Sequence, residues 1–385
     1  MAADPVRVLV LSGGGGRGAF HAGVYQYLMQ ARKPRVDSDH SGVWDPRVIV
    51  GTSIGAVNGA AIAQGMSADE LVKVWKSLEE QDIQGLPPGM RGVAKWIART
   101  LFGEIMDANL TQIPASDATS PMPKDYWPPL PLVPGWLAGS LIGRWINLLD
   151  TGPLRKTLFS RFKLNEGKLA GSKRALLIAA TKVRTGERVL FSNRDVFDHK
   201  RGERRNDVFI GITADRILAS CSIPLVYPWT YDSETKSYYW DGALVANTPL
   251  GAAIDLMGGD VETPAEVVVV MMTPWWESSD LAPASARTEP KSFGDAITWM
   301  LDWMLLASFR ENLKTIRAFN ELAKRERETG PGPYRYRFVN PIIVSPLDFL
   351  QAERIIDYDG EVSAELIDEG FKAAQRAFEK AFPEQ

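Results

Sequence analysis

The sequence predicts an α/β protein built on a largely parallel sheet, and three observations carry that expectation. Apolar runs rich in β-branched residues recur at 6–11, 48–50 and 267–272, each nearly continuous, as in strands covered on both faces. Segments of helical periodicity alternate with them, as crossover connections require. The first two runs each lead straight into a glycine-containing turn and then a helix.

Taken in order, Val6-Arg7-Val8-Leu9-Val10-Leu11 reads as a buried strand. Ser12-Gly13-Gly14-Gly15-Gly16-Arg17-Gly18 follows, then a helix over 19–31. Four consecutive glycines between a strand and a helix let the backbone turn its N–H groups toward a negative centre. Gly13, Gly15 and Gly18 satisfy the dinucleotide pattern Gly-x-Gly-x-x-Gly, with Asp37 or Asp39 near the position of a ribose-binding acid. The competing reading is an oxyanion hole. A glycine-rich packing turn is the third. A nucleophile turn downstream favours the oxyanion hole.

That turn is Val48-Ile49-Val50-Gly51-Thr52-Ser53-Ile54-Gly55-Ala56-Val57, a Gly-x-Ser-x-Gly arrangement between a short strand and a small-residue helix. A sharp strand-to-helix turn of this kind lifts its serine clear of the sheet, toward the positive end of the following helix. Alone the pattern is weak, since a Gly/Ser-rich loop produces it by chance; its flanks strengthen it.

Ser67-Ala68-Asp69-Glu70 forms a capping box that opens a helix through Leu71, Val74, Trp75 and Leu78, and a second amphipathic segment covers 93–102. From 107 to 143 proline and apolar residues crowd together around Trp127 and Trp136, either as a lid or interfacial surface at the mouth of the site or as a strap over the core. Asp150 to Leu154 turns into a short helix, 174–181 and 187–191 read as strands, and 215–220 as a helix closed by Pro224. Tyr238-Tyr239-Trp240-Asp241-Gly242-Ala243 is a strand arriving at an acid and a turn, and Asn247-Thr248-Pro249-Leu250 opens a helix. The segment 293–309 carries Trp299, Met300, Trp303 and Met304 with a narrow polar stripe of Asp295, Thr298 and Asp302. It is a core helix or one that meets a membrane or a partner. An amphipathic helix over 362–382 ends the chain.

Composition narrows the function. With 385 residues, 45% hydrophobic and 24% charged, the chain has material for one large domain or two ordinary ones. Its net charge of −3 comes without a basic block, so nucleic acid is not expected as a partner. A lone Cys221 makes no disulfide framework or thiolate metal cage, and neither a metal nor a cofactor is expected. The cysteine usage fits a reducing compartment, and the apolar run at 8–12 is too short for a signal peptide. The uncharged stretch 126–143 contains Pro128, Pro129, Pro131 and Pro134, which a spanning helix would not tolerate together. The expectation is a soluble cytoplasmic protein, with peripheral membrane contact through tryptophans 127, 136, 299 and 303 as its extension.

A base for Ser53 must come from three histidines or a carboxylate. His21 lies in the helix after the glycine loop, where a partly buried structural role suits it, His40 in a polar loop, and His199 among charged residues. None stands late in the chain, where an α/β-hydrolase places its histidine. Asp241 is the better candidate: it ends an aromatic strand at a turn, and partial burial would raise its pKa into the range of a general base.

Gly13-Gly14-Gly15-Gly16-Arg17-Gly18, Gly51-Thr52-Ser53-Ile54-Gly55 and Asp241-Gly242-Ala243 resemble, in order, the three signatures of patatin-like phospholipases. Ala219-Ser220-Cys221-Ser222-Ile223-Pro224 is similar to the family's Ala-Ser-x-Ser-x-Pro segment, and Asn247-x-Pro249 follows the acid as in the family. The resemblance implies a three-layer α/β/α sandwich and a Ser53–Asp241 dyad without histidine. It also implies an oxyanion hole from Gly14, Gly15 and Gly16, joined by the Ile54 amide, and lipid acyl esters as substrates. Arg17 either holds the loop in an ion pair or meets a phosphate. The departure is Ala243, where many members carry a second glycine.

The expected organisation is a catalytic domain over 1–275 and a helical region over 276–385 packed on or completing it. The expected function is a lipid acyl hydrolase of the phospholipase A, lysophospholipase or esterase type. An acyltransferase or thioesterase using the same dyad, and a catalytically weak lipid-binding regulatory protein, are its rivals. The dinucleotide reading makes a further one.

Overall fold

In the computed structural model, residues 5–30, 43–85, 149–198, 201–258, 261–276, 293–332, 334–347 and 358–382 are described. The expected helix at 93–102, the stretch 107–143, and Asp37, Asp39, His40 and His199 lie outside them.

The layering follows from alternation along the first strand, β1 (Val6–Leu11). Val8 and Val10 point into one apolar cluster, Leu9 and Leu11 into another, so both sheet faces are buried. The strands β2 (Val48–Thr52), β3 (Ala175–Lys182), β4 (Arg188–Ser192), β5 (Val208–Ile210), β6 (Thr230–Asp232), β7 (Ser237–Asp241), β8 (Ala265–Val270) and β9 (Ile342–Val344) join it in one sheet. Its main path runs β5-β4-β3-β2-β1-β8-β9. Parallel pairing holds from β3 to β9, in the register Val8↔Val48 and Val8↔Val267. Among the described strands, antiparallel pairs enter where β4 and β7 meet β3 and where β6 meets β7. The largely parallel α/β expectation is met.

Helices cover both faces. On the Leu9 side lie α1 (Ala19–Met29), α2 (Ile54–Ala63) and α3 (Ala68–Lys76), joined from the far end of the chain by the last helix, 360–381. Between these come α4 (Glu80–Ile83), α5 (Gly152–Ser160), α6 (Glu166–Ala170), α7 (Ala214–Ser220) and α8 (Ala243–Ala246). On the Val8 side lie α9 (Leu250–Met257) and α10 (Phe293–Thr329). The last helix is α11 (Gly360–Ala381). Local signals set several starts. Ser67 Oγ accepts the Glu70 N–H at 3.2 Å while Glu70 accepts the Ser67 N–H at 3.1 Å, the capping box read from sequence. Thr213 caps α7 and Asp359 caps α11 by a side-chain oxygen that accepts first-turn N–H groups.

Helix α10 differs from its expected extent. The sequence reads a helix over 293–309, whereas the helix runs 37 residues to Thr329. Leu313, Ile316 and Ala323 continue the buried stripe of Leu306 and Phe309 at helical spacing, so nothing stops it earlier. Its face is core, while Met300 and Trp303 remain 59% and 38% exposed. No helix among the described residues is long and apolar enough to cross a membrane.

Candidate active site

Ser53 leaves β2 with φ 55° and ψ −129°, a left-handed conformation that a residue with a Cβ rarely adopts. Such a backbone costs about 1–3 kcal/mol and persists when its surroundings over-determine it. Here they do. The Ser53 N–H donates to Ser220 Oγ at 2.9 Å, and that hydroxyl donates in turn to the Ala179 carbonyl at 2.6 Å. The Ser53 carbonyl accepts the Ala56 N–H at 2.7 Å, which starts α2. Gly55 must lack a side chain, since a Cβ there would fall on the Leu11 carbonyl. The amide of Ile54, in the first turn of α2, has no acceptor within its own helix.

Asp241 reaches the same point from β7. Its N–H donates to the Ser222 carbonyl at 2.8 Å, and its own carbonyl accepts Thr181 Oγ1 at 2.9 Å. The carboxylate accepts the Ala243 N–H at 2.8 Å, with the Ser53 side chain beside it. Burial raises the Asp241 pKa to about 7, against the opposing pull of the Ser53 side chain and the Ala243 N–H. Ala243, the departure from the family pattern, supplies its amide to the acid. Cys221, buried beside Asp241, has its thiol pushed well above the usual range first by burial and then by that carboxylate.

The glycine loop closes on the serine from β1. Gly13 packs so near that a Cβ on it would lie 3.0 Å from the Ser53 Cβ. Its N–H donates to Asn247 Oδ1 at 2.7 Å. Gly15–Gly18 then form a single 3₁₀ turn leading into α1, with Gly15 at φ 59°. Arg17, within that turn, is 1% exposed and meets the equally buried Asp302 of α10 at 3.2 Å. Of its two sequence readings, holding the loop is the one this geometry supports.

His21 is fully buried in α1, and burial lowers its pKa to about 3, so the ring is neutral. Its Nδ1 lies 3.2 Å from the Asn58 amide nitrogen, which also donates to the Gly18 carbonyl, while Asn58 Oδ1 accepts the Trp75 indole N–H. Asn58 thereby fastens the end of the glycine loop to α2 and α3, and His21 is part of that packing. Three contributors escaped the sequence reading: Asn58, Asp302 and the role of Ser220 beneath the serine. Asp302 carried a signal, since it is the lone charge between Trp299 and Ser308 in an apolar helix.

The sequence model of the patatin-like phospholipases matches residues 9–254. The chain belongs to that family. Family membership places it among lipid acyl hydrolases. No curated protein gives a significant match. Among solved structures the patatin-like chain is similar to VipD from Legionella pneumophila, at 13% identity and TM-score 0.41, over 98% of this chain and 68% of that one. It is also similar to the type III effector protein ExoU, at 12% identity and TM-score 0.33, over 100% of this chain and 54% of that one.

Proposed function

We propose that the chain is a serine hydrolase that cleaves acyl ester bonds of phospholipids or related lipids, of the phospholipase A, lysophospholipase or esterase type. The observation that carries this reading is the placement of Ser53, on its strained turn, beside a buried carboxylate whose pKa is raised to about 7. Asp241 takes the Ser53 Oγ proton as that oxygen attacks the acyl carbonyl carbon. The amides of Gly14, Gly15, Gly16 and Ile54 receive the oxyanion. Asp241 returns the proton to the leaving alcohol as the ester C–O bond breaks and the acyl-enzyme forms. Water then attacks the acyl carbonyl, with Asp241 taking its proton and passing it back to Ser53 Oγ on release of the fatty acid. The catalytic unit proposed spans 1–275, with the chain from 276 onward completing it.

Peripheral contact with a lipid surface is part of the proposal. Met300 and Trp303 are exposed on α10, and the Arg310 guanidinium lies 5.6 Å from the Trp303 ring, an apolar and cationic pair suited to a headgroup boundary. The test is fatty-acid release from phospholipid vesicles by the wild type and by Ser53→Ala, with products separated by position and chain length. Release by the wild type that Ser53→Ala abolishes is the expected result; equal release by both would reject the reading.

A further inference from the structure

Helix α10 lies wholly beyond the family-matched residues 9–254, yet it grips the glycine loop twice. The first grip is the Arg17–Asp302 ion pair, at 3.2 Å with both side chains 1% exposed. The second passes through Asn247. Its Oδ1 accepts the Gly13 N–H at 2.7 Å, its Nδ2 donates to the Leu305 carbonyl of α10 at 3.2 Å, and its own N–H donates to Ser308 Oγ at 3.2 Å. Two successive turns of α10 are therefore bonded to both ends of the segment that carries Gly14, Gly15 and Gly16.

We propose that Asp302 is a positioning residue: through Arg17 it holds the glycine loop in register with Ser53, so that the active site is incomplete without α10. The inference rests on the acyl-hydrolase reading. Stability alone does not account for the pair. Taking two charges out of water costs several kcal/mol per ion, and an apolar pair of similar volume is often as stable or more so. Leu305, Leu306 and Phe309 show that the face of α10 carrying Asp302 is otherwise buried and apolar. What an apolar pair lacks is direction. A guanidinium–carboxylate contact fixes the distance and orientation of Arg17, and Arg17 lies inside the 3₁₀ turn, one residue after Gly16. A shift of Arg17 moves those amides, and an oxyanion site misplaced by about 1 Å forfeits much of its effect. Asn247 anchors the opposite end, at Gly13.

The experiment compares full-length wild type with Asp302→Asn, Asp302→Glu and the double variant Arg17→Met/Asp302→Leu. Each protein is read by melting temperature, by kcat and KM on a soluble p-nitrophenyl ester, and by hydrogen exchange of the peptide over 12–18. Asp302→Asn should lower kcat about a hundredfold with KM nearly constant, the cost of a misplaced oxyanion donor. Asp302→Glu, which keeps the charge, should recover part of that loss. The double variant should melt at or above wild type, yet keep the low kcat and exchange its loop amides faster. A double variant with wild-type kcat and wild-type exchange would overturn the proposal, because an apolar plug would then serve as well. Absence of esterase activity in the wild type would count against the acyl-hydrolase reading instead. Loop exchange in the double variant would still decide the clamp: faster supports it, unchanged overturns it.

Discussion

Two residues at the centre are each held in a state they would not adopt alone. Ser53 is strained in its backbone, and Asp241 is a carboxyl kept from water, its pKa raised to about 7. The proton-accepting form of Asp241 is the anion, so kcat/KM should rise with pH along a one-proton limb centred near 7, measured on a soluble ester. The same shift costs stability. A carboxyl whose folded pKa exceeds its unfolded value, about 3.9, stabilises fully below that value and loses the contribution as pH rises through 7. Asp241→Asn should therefore unfold at higher denaturant than wild type. The gap should widen between about pH 4 and 7, by about 1.4 kcal/mol per unit, and level off above. His21 acts in the opposite direction. Its pKa of about 3 lies below the unfolded value, so it loses stability as pH falls through 6.5. The two slopes offset one another in the wild type, which is why the comparison with Asp241→Asn isolates the acid. Ser53 and Asp241 were legible because each announces itself locally, one by a glycine-flanked turn and the other by ending a strand. Asp302 was not, because its partner Arg17 lies 285 residues away and only the fold brings them together.

At the scale of elements, α1 and α11 approach closely. A Cβ on Gly370 would fall on the Phe20 carbonyl, and one on Gly23 on the Ile367 carbonyl, so two helices pack backbone to backbone. Phe20, Leu28, Ile367 and Phe378 are buried around the crossing, each contributing about 1.5–3 kcal/mol by leaving water. Gly370→Ala sets two effects against each other. Alanine is the better helix former by about 1 kcal/mol, while a methyl group forced onto a carbonyl that no rotamer can move costs about 1–3 kcal/mol. Overpacking should win, and thermal unfolding of Gly370→Ala should show a net loss of stability. The helices and long strands were readable because capping boxes, prolines and apolar periodicity are local features; the Ser67 box is an example. Strands β5, β6 and β9 were missed because three residues cannot display a period. The full length of α10 was missed because its second half is strongly charged on the outer face, and its stripe of Leu313, Ile316 and Ala323 is sparse.

For the whole molecule, the chain beyond the matched residues 9–254 is woven into the sheet and the site. β8 pairs with β1, β9 extends the edge beside β8, α11 packs on α1, and α10 binds the glycine loop. α10 has two faces, one holding Arg17 and Asn247, the other exposing Met300 and Trp303. If the exposed face meets lipid, Trp303→Ala should reduce co-sedimentation with phospholipid vesicles several-fold while leaving soluble-ester kcat unchanged. Equal sedimentation of both proteins would remove that contact from the account. The α/β class was legible at this scale from the alternation of apolar runs and helices. The antiparallel pairings of β4 and β7 with β3 were not, since pairing partners depend on where the chain returns.

The most direct measurement is the rate at which a fluorophosphonate modifies the protein, with the adduct mapped by mass spectrometry, in wild type and Asp241→Asn. The dyad predicts a single adduct on Ser53 and a rate that falls by about 10²–10⁴-fold when Asp241 loses its basicity. An adduct elsewhere, or a rate unchanged in Asp241→Asn, would contradict it.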